Sequence, residues 1–440
     1  MVYYWEVNSN MLKKLIFLGA IMLICPLFSR ANDYDVNGDG NVTAADVTAL
    51  YDYLLNNDLT HAATCDVTGD GTVTSADVTA VYDVLLNGIP ANPVPERLVG
   101  GDISMLTKYE QGGAIYKDRN GSTIASILPY FKQQGWNAMR VRLFVNPENA
   151  SDEHKKEGVV QDLPYVKALG KRIKDAGYAL VLDLHYSDTW ADPSHQSVPL
   201  AWQNASSEDL QDSVYNYTQN VLQELIAAGA RPDFIQTGNE ITGGLLWPYG
   251  QDWNNIALYL KSAARAVRAT SPSTKIILHT ELHLTNNGAG NIVADYFYQQ
   301  AANYGLDYDI VGLSYYSAYH GDLAKLDEDL LKVEAVTGDR PIMIMECGYG
   351  YAWALPGTNY NLANIYPYSN EGQKNFTIDM IAALKQHSRV KGLFWWWPEA
   401  NEFNIPWQNQ ITSSWWNGSL FNNNTGQAQD ALYELKQFIE

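Results

Sequence analysis

Positive charge is scarce in this chain, cysteine is nearly absent, and no phosphate-cradling glycine motif follows any strand-like run. Twenty-nine lysines and arginines face 49 aspartates and glutamates, a formal net charge of −20. That balance argues against nucleic acid or an anionic membrane as partner and fits a neutral ligand. Of the cysteines, Cys25 lies in a segment read below as removed, and Cys65 and Cys347 fall in different proposed domains. No structural disulfide is therefore expected. The missing glycine fingerprint weighs against an open, doubly wound nucleotide-binding sheet. Charged residues make up 18% of the chain and hydrophobic ones 46%, which excludes a disordered protein and leaves a large core.

The apolar run from Leu15 to Leu27 is too short for a membrane span. Met11-Leu-Lys-Lys precedes it and Ser29-Arg-Ala31 follows it, so residues 1–31 read as an export signal, with Met11 an alternative start. Bulky Ile24 before Cys25 argues against a lipoprotein. A secreted protein without a transmembrane segment is expected, extracellular, at the cell surface or periplasmic.

Residues 33–88 hold an internal repeat. Asp35-Val-Asn-Gly-Asp-Gly-Asn-Val-Thr-Ala-Ala-Asp46 recurs as Asp66-Val-Thr-Gly-Asp-Gly-Thr-Val-Thr-Ser-Ala-Asp77. Oxygen donors stand at loop positions 1, 3, 5, 7 and 12, the pattern of a calcium loop. They are Asp35, Asn37, Asp39, Asn41 and Asp46 in the first copy, and Asp66, Thr68, Asp70, Thr72 and Asp77 in the second. Position 7 ligates through its carbonyl, and Gly40 and Gly71 occupy the sharp turn. Helices are predicted behind each loop, with Val47, Leu50, Tyr51, Leu54 and Val78, Val81, Tyr82, Leu85 on their buried faces. This duplicated loop-helix resembles a dockerin module, a small all-α domain. The resemblance implies structural calcium and a cohesin-like protein partner. Thr68, in place of an acidic or amide ligand, is expected to weaken the second site. Residues 89–97 carry prolines spaced as in a semi-stiff linker.

From residue 98 to 440, strand-like and helix-like segments alternate. Strand-like runs end near Ser104, Phe144, His185, Glu240, Glu281, Tyr316, Glu346 and Trp397. Helical periodicity marks Leu163–Ala176, Asp209–Ala228, Trp253–Ala269 and Gly372–Lys385 between them. Eight such units predict an α/β fold, a (β/α)8 TIM barrel whose strand ends converge on one face. The polar residues there are Asp102, Arg140 or Arg142, His185, Asn239, Glu240, His279, Glu281, Tyr315, Tyr316 and Glu346. Glu240 and Glu346 end two continuous apolar runs, Asp233–Glu240 and Pro341–Glu346, and so can face each other across a cleft. Paired carboxylates are what glycosidic-bond hydrolysis needs. Trp190, Trp247, Trp395, Trp396 and Trp397 fall at or after strand ends, where flat rings stack on sugars or fill the core. No compact ligand motif surrounds His185 and His279, so no cofactor or metal is expected for catalysis.

The stretches Gly100-Gly-Asp-Ile-Ser104, Arg140-Val-Arg-Leu-Phe144 and Asp183-Leu-His-Tyr-Ser-Asp-Thr-Trp-Ala-Asp-Pro193 resemble the arabinogalactan endo-β-1,4-galactanases. Gly238-Asn-Glu-Ile241 and Leu246-Trp-Pro-Tyr-Gly250 extend the likeness. It implies a retaining clan A glycoside hydrolase, with Glu240 on the fourth strand as acid/base and Glu346 on the seventh as nucleophile. The carboxyl groups should then lie about 5–5.5 Å apart. Arg142 and Tyr315 or Tyr316 are expected to keep Glu346 ionised, and the charge of Glu346 to raise the pKa of Glu240. Asn239 is expected on the sugar 2-hydroxyl, and Asp102, His185, Trp190, Trp247, His279 and Trp396 around the substrate. Glu281, Glu399 and Glu402 are weaker carboxylate candidates. The loop Pro398–Trp407 departs from the family pattern. The loop after Glu346 lacks the acidic cluster by which some relatives bind calcium, so no metal is expected there. The expected function is a secreted, monomeric endo-β-1,4-galactanase acting on pectin side chains. The alternatives are another clan A β-glycanase, for mannan or glucan, and a silent galactan-binding barrel.

Overall fold

The structure is a computed structural model that describes residues 34–39, 41–62, 64–67, 72–87, 96–286, 290–355, 359–411 and 413–440. The expected export signal, Gly40, Thr68, Asp70, Gly71 and most of the proline linker lie outside them. The chain divides into two compact units, Met1–Pro90 and Ala91–Glu440.

In the smaller unit, helices α1 (Ala44–Asn56) and α2 (Ser75–Asn87) follow the two acidic loops. Thr43 caps α1, and the Asp46 side chain reaches back to the Thr43 backbone N–H, a reciprocal capping box. Val47 and Leu50 from α1 and Val78 and Val81 from α2 bury against Val36, Cys65 and Val67. The expected faces were too wide. Tyr51 is 42% exposed, Tyr82 44% and Leu85 37%, while Val84 is buried in their stead. So small a unit has only one thin core, and the flanks of each apolar stripe stay outside it.

The larger unit is a closed barrel of eight parallel strands. They are β1 (Leu98–Asp102), β2 (Ala138–Leu143), β3 (Ala179–Leu184), β4 (Phe234–Thr237), β5 (Lys275–Glu281), β8 (Ile310–Tyr315), β9 (Ile342–Cys347) and β10 (Val390–Trp396). All eight expected strand ends fall within three residues of these. Counted round the barrel, β9 is the seventh strand. A hairpin that periodicity did not predict, β6 (His283–Asn286) with β7 (Gly290–Val293), follows β5. The strands are buried along nearly their whole length, which is why they read as continuous apolar runs rather than alternating ones. One layer inside the barrel is filled by Leu98, Ala138, Val181, Phe234, Ile277, Ile310, Met343, Met345 and Phe394. This plug closes the barrel to water and leaves the C-terminal strand ends as the place for a site. Gly100 is required where β1 meets β2, since a Cβ there would stand 1.9 Å from the Ala138 carbonyl oxygen. The long outer helices, Leu163–Asp175, Leu210–Ala227, Trp253–Thr270 and Asn370–Gln386, match the periodic segments. Among the described residues no helix is long and apolar enough to cross a membrane.

Candidate active site

The strand ends gather polar side chains around one guanidinium, that of Arg140 on β2, which is wholly buried. Its Nε donates to Gln236 Oε1 at 2.6 Å and its Nη1 to Asp102 Oδ2 at 2.9 Å. Its Nη2 donates to Asp183 Oδ2 and Asn239 Oδ1, both at 2.8 Å. The same nitrogen stands 3.1 Å from Glu346 Oε1, an ion pair off the line of a hydrogen bond. A buried charge is costly unless charges and donors around it are matched, and here residues from β1, β3, β4 and β9 converge to match it. Burial alone would lift the Asp183 carboxyl, but Arg140 and His185 reverse that and hold it at about 2.

Glu346 is 4% exposed at the end of β9. Tyr316 Oη donates to its Oε2 at 2.9 Å. Burial pushes its pKa up, while Arg140 and Tyr316 pull it back, to about 7. Among the described residues Glu240 makes no ion pair with a cation. Burial first, then the charges of Glu346 and Glu281, raise its pKa well above the carboxylate range. The cation beside Glu346 favours its charged form, whereas burial and the neighbouring carboxylates favour the protonated form of Glu240.

One carboxylate oxygen of each glutamate and one ring nitrogen of His279 lie within 4.8 Å of one another. Three such groups invite a metal ion, but both nitrogens of His279 are already engaged. Gln236 Nε2 meets Nδ1 at 2.7 Å and Ser314 Oγ meets Nε2 at 2.9 Å. No imidazole lone pair is left for an ion. What remains is a close carboxyl pair in which one member is held by a cation and the other is not.

Glu240 reaches this place through an unusual backbone. It takes φ 48° and ψ 50°, the left-handed region that a glutamate rarely adopts. Gly238 before it has φ 116°, where a Cβ would also stand 2.6 Å from the Ile241 side chain. Tyr186, Leu246, Trp397 and Asn404, likewise after barrel strands, also have positive φ. Such strain collects where the chain must aim side chains rather than pack them.

Several expectations need correction. Arg142 does not touch Glu346; its Nη1 bonds Asp102 Oδ1 at 2.9 Å, and its guanidinium lies against the rings of Trp190 at 4.7 Å and Trp396 at 5.2 Å. Arg140 supplies the cation instead. Tyr315 gives its hydroxyl to the Gly321 carbonyl, so Tyr316 is the tyrosine of the pair. Asp102, Arg142, His279 and Tyr315 are each fully buried, which makes them supports of the site rather than its lining. His185, 2% exposed, stands 3.0 Å from Asp183 and accepts from Ala191 N–H. Half-buried Trp190 and Trp396 meet edge to face, with ring centres 6.3 Å apart, and form an aromatic wall. Trp247 is half-buried, its Nε1 on the Gly243 carbonyl. Asn239 spends one amide hydrogen on the Ala191 carbonyl and keeps another.

Glu281, which hydrogen-bonds Thr242, is a third carboxyl beside the pair, lifted chiefly by burial to about 8. Glu399 accepts from Met105 N–H and Glu402 from Ile411 N–H, so both brace loops. Sequence reasoning missed Gln236, Ser314 and the role of Asp183. The available signal was a lone polar residue inside an apolar run, as in Phe234-Ile-Gln-Thr.

Removing the Tyr316 hydroxyl takes away a hydrogen bond that favours the Glu346 carboxylate. Tyr316→Phe should therefore raise the Glu346 pKa by about one unit, read by carbon-13 NMR titration of the side chain. An unchanged titration would mean that Arg140 alone holds the charge.

Comparison with known proteins matches both units of the chain. Residues 98–435 match the model of glycosyl hydrolase family 53, and residues 33–86 match that of the dockerin type I domain. An arabinogalactan endo-beta-1,4-galactanase of Thermothelomyces thermophilus is 34% identical over 313 residues, 68% of this chain and 88% of that protein. The family 53 catalytic domain of Ignisphaera aggregans superposes with a TM-score of 0.67 at 30% identity, covering 79% of this chain and 98% of that one. A structure from a study of two fungal beta-1,4-galactanases gives a TM-score of 0.65 at 29% identity, covering 77% and 99%. With the matching barrel spanning most of its length, the chain belongs to glycosyl hydrolase family 53 and carries a dockerin type I domain ahead of the barrel.

Proposed function

We propose that the protein is a secreted endo-β-1,4-galactanase that cleaves with retention, Glu240 serving as acid/base and Glu346 as nucleophile. The observation that carries this reading is the facing carboxyl pair, one oxygen of each lying within 4.8 Å, which fits the short spacing of a retaining pair. Among the described residues, Glu346 alone of the pair has a cation against it. Glu346, paired with Arg140, attacks the anomeric carbon as Glu240 gives its proton to the departing glycosidic oxygen. The ester formed at Glu346 removes the charge that raised the Glu240 pKa. Glu240 then takes a proton from the incoming water, which frees the sugar and restores both groups. The spare Asn239 amide hydrogen is suited to the sugar 2-hydroxyl, and the wall of Trp190 and Trp396 to a sugar face. The galactan substrate is read from the galactanase relatives together with the long Asp183–Pro193 motif.

Residues 33–86 are read as holding two structural calcium ions and docking on a cohesin-like protein. Between Arg30 and Arg97 the chain has no lysine or arginine, yet Asp46 and Asp77 are fully buried. Asp46 accepts from the Asn37 and Thr43 backbone N–H groups. Oxygen donors at these loop positions, two of the carboxylates fully buried, fit calcium. Asp35, Asn37, Asp39, Asn41 and Asp46 would hold one ion, and Asp66, Thr68, Asp70, Thr72 and Asp77 the other, tying each loop to its helix. Exposed Tyr51, Leu55 and Tyr82 offer apolar surface to a partner.

On linear β-1,4-galactan the intact protein should lower viscosity quickly and release short oligosaccharides. Glu240→Ala should cost about 10²–10⁴-fold in rate, and Glu346→Ala should abolish cleavage. Cleavage of mannan or glucan instead would make it a different β-glycanase, and no cleavage of any glycan would leave a binding barrel. Calorimetric titration of the full chain with calcium should show two sites, the second weaker. Asp46→Ala and Asp77→Ala should each remove one, whereas a single site in the intact chain would discount the Thr68 loop.

A further inference from the structure

The tyrosine that donates to Glu346 lies one residue past the end of β8. Pairing of that strand with β9 ends at Tyr315 and Cys347, so Tyr316 has no place in the ladder. Its backbone is extended, with φ −123° and ψ 116°, and the residue is 5% exposed. A buried N–H and C=O in such a position need partners from elsewhere. His320, at the end of the single helical turn Ser317–His320, meets both. Its Nδ1 accepts the Tyr316 N–H at 3.1 Å, and its own N–H donates to the Tyr316 carbonyl at 2.8 Å. Tyr319 N–H reaches the same carbonyl at 2.9 Å. The clamp thus closes over four residues, and its other end is the Tyr316 hydroxyl, which donates to Glu346 Oε2 at 2.9 Å.

A backbone N–H can only donate, so Nδ1 of His320 carries no hydrogen. The ring is uncharged, since burial and then His283 push its pKa down to about 3. Its one hydrogen is therefore on Nε2. The imidazole is also held from behind. Its centre lies 5.1 Å from that of His283 on β6, the rings 65° apart, and 6.3 Å from the Tyr315 ring. His283 Nδ1 is 3.0 Å from Asp329 Oδ2, and Lys325 Nζ donates to Asp329 Oδ1 at 2.8 Å. His283 and Asp329 are buried. The hairpin after β5 and the helix Leu323–Val336, on which Lys325 and Asp329 stand, thus back the His320 ring.

We propose that His320 is a positioning residue that clamps both backbone groups of Tyr316, so that the phenol hydroxyl stays on Glu346 Oε2. The proposal rests on Glu346 being the nucleophile. Among the described residues His320 makes no hydrogen bond to either glutamate, so its effect passes through Tyr316 alone. The hydroxyl stands at the far end of a rigid ring, and a small turn of the Tyr316 backbone would carry it out of hydrogen-bond range. Trp415, whose ring meets that of Tyr316 edge to face at 5.1 Å, limits the ring's tilt but leaves the backbone free. The clamp supplies what the ladder does not.

The test is carbon-13 titration of the Glu346 side chain in His320→Leu, which removes the acceptor and keeps an apolar group in its place. The Glu346 pKa should rise by about half a unit, less than on losing the whole Tyr316 hydrogen bond. In a Tyr316→Phe background the same change should add nothing, because both act through one bond. His320→Asn, whose Oδ1 can stand where Nδ1 stood, should bring Glu346 back toward its wild-type value. On galactan the acid limb of kcat/KM, which reports the Glu346 proton, should move up in His320→Leu with the pKa. A folded His320→Leu with an unmoved Glu346 titration, or shifts that add in the double variant, would overturn the clamp and leave His320 a packing residue. If His320→Leu does not fold, nitrogen-15 NMR of the wild type decides. The clamp requires a neutral His320 with its hydrogen on Nε2 and a coupling from the Tyr316 N–H to Nδ1, and a hydrogen on Nδ1 overturns it. A wild type that leaves galactan intact would overturn the substrate reading instead, and the titration, which needs no substrate, still decides the clamp.

Discussion

The Arg140 guanidinium is the interaction on which the rest of the site depends. It is fully buried and takes hydrogen-bond acceptors from Gln236, Asp102, Asp183 and Asn239, with the Glu346 carboxylate beside them. A charge so placed is tolerated only when its partners are held rigidly, and the closed barrel provides that rigidity by fixing every partner at a strand end. The same cation makes the two glutamates unequal. It favours the negative form of Glu346, while burial and the neighbouring carboxylates favour the neutral form of Glu240.

Around that centre the fold divides its labour. The apolar plug under the site excludes water from below, and the strand-end loops carry the strained positions that aim Glu240 and the residues around it. Arg142, unlike Arg140, spends its charge on Asp102 and on the faces of Trp190 and Trp396, so it holds the aromatic wall in place. The dockerin domain follows a different logic. It has too few apolar residues for a thick core, and its buried Asp46 instead accepts from backbone N–H groups of its own loop.

Much of this was legible in the sequence because it was written in period and position. Continuous apolar runs gave strands, polar residues at their ends gave the face of the site, and the in-phase repeat gave the acidic loops with their helices. What could not be read was depth. Arg140 and Arg142 have the same parity on β2, and nothing in spacing says which reaches Glu346. Tyr315 and Tyr316 were ambiguous because pairing with β9 slips between Leu313 and Ser314, so strand alternation cannot be carried through to the end. Gln236 and Ser314 were overlooked since a single amide or hydroxyl in an apolar run gains meaning only from its neighbours across the sheet. The hairpin after β5 was missed although Asn286-Asn-Gly288 is a turn signal.

Retention rests on the facing carboxyl groups of Glu240 and Glu346, one oxygen of each lying within 4.8 Å. The most direct test is proton NMR of the sugar released in the first moments of galactan cleavage, before mutarotation mixes the anomers. With retention the β-hemiacetal appears first and the α form only later. An α product at the outset would contradict retention, since it would mean that water and not Glu346 attacks the anomeric carbon.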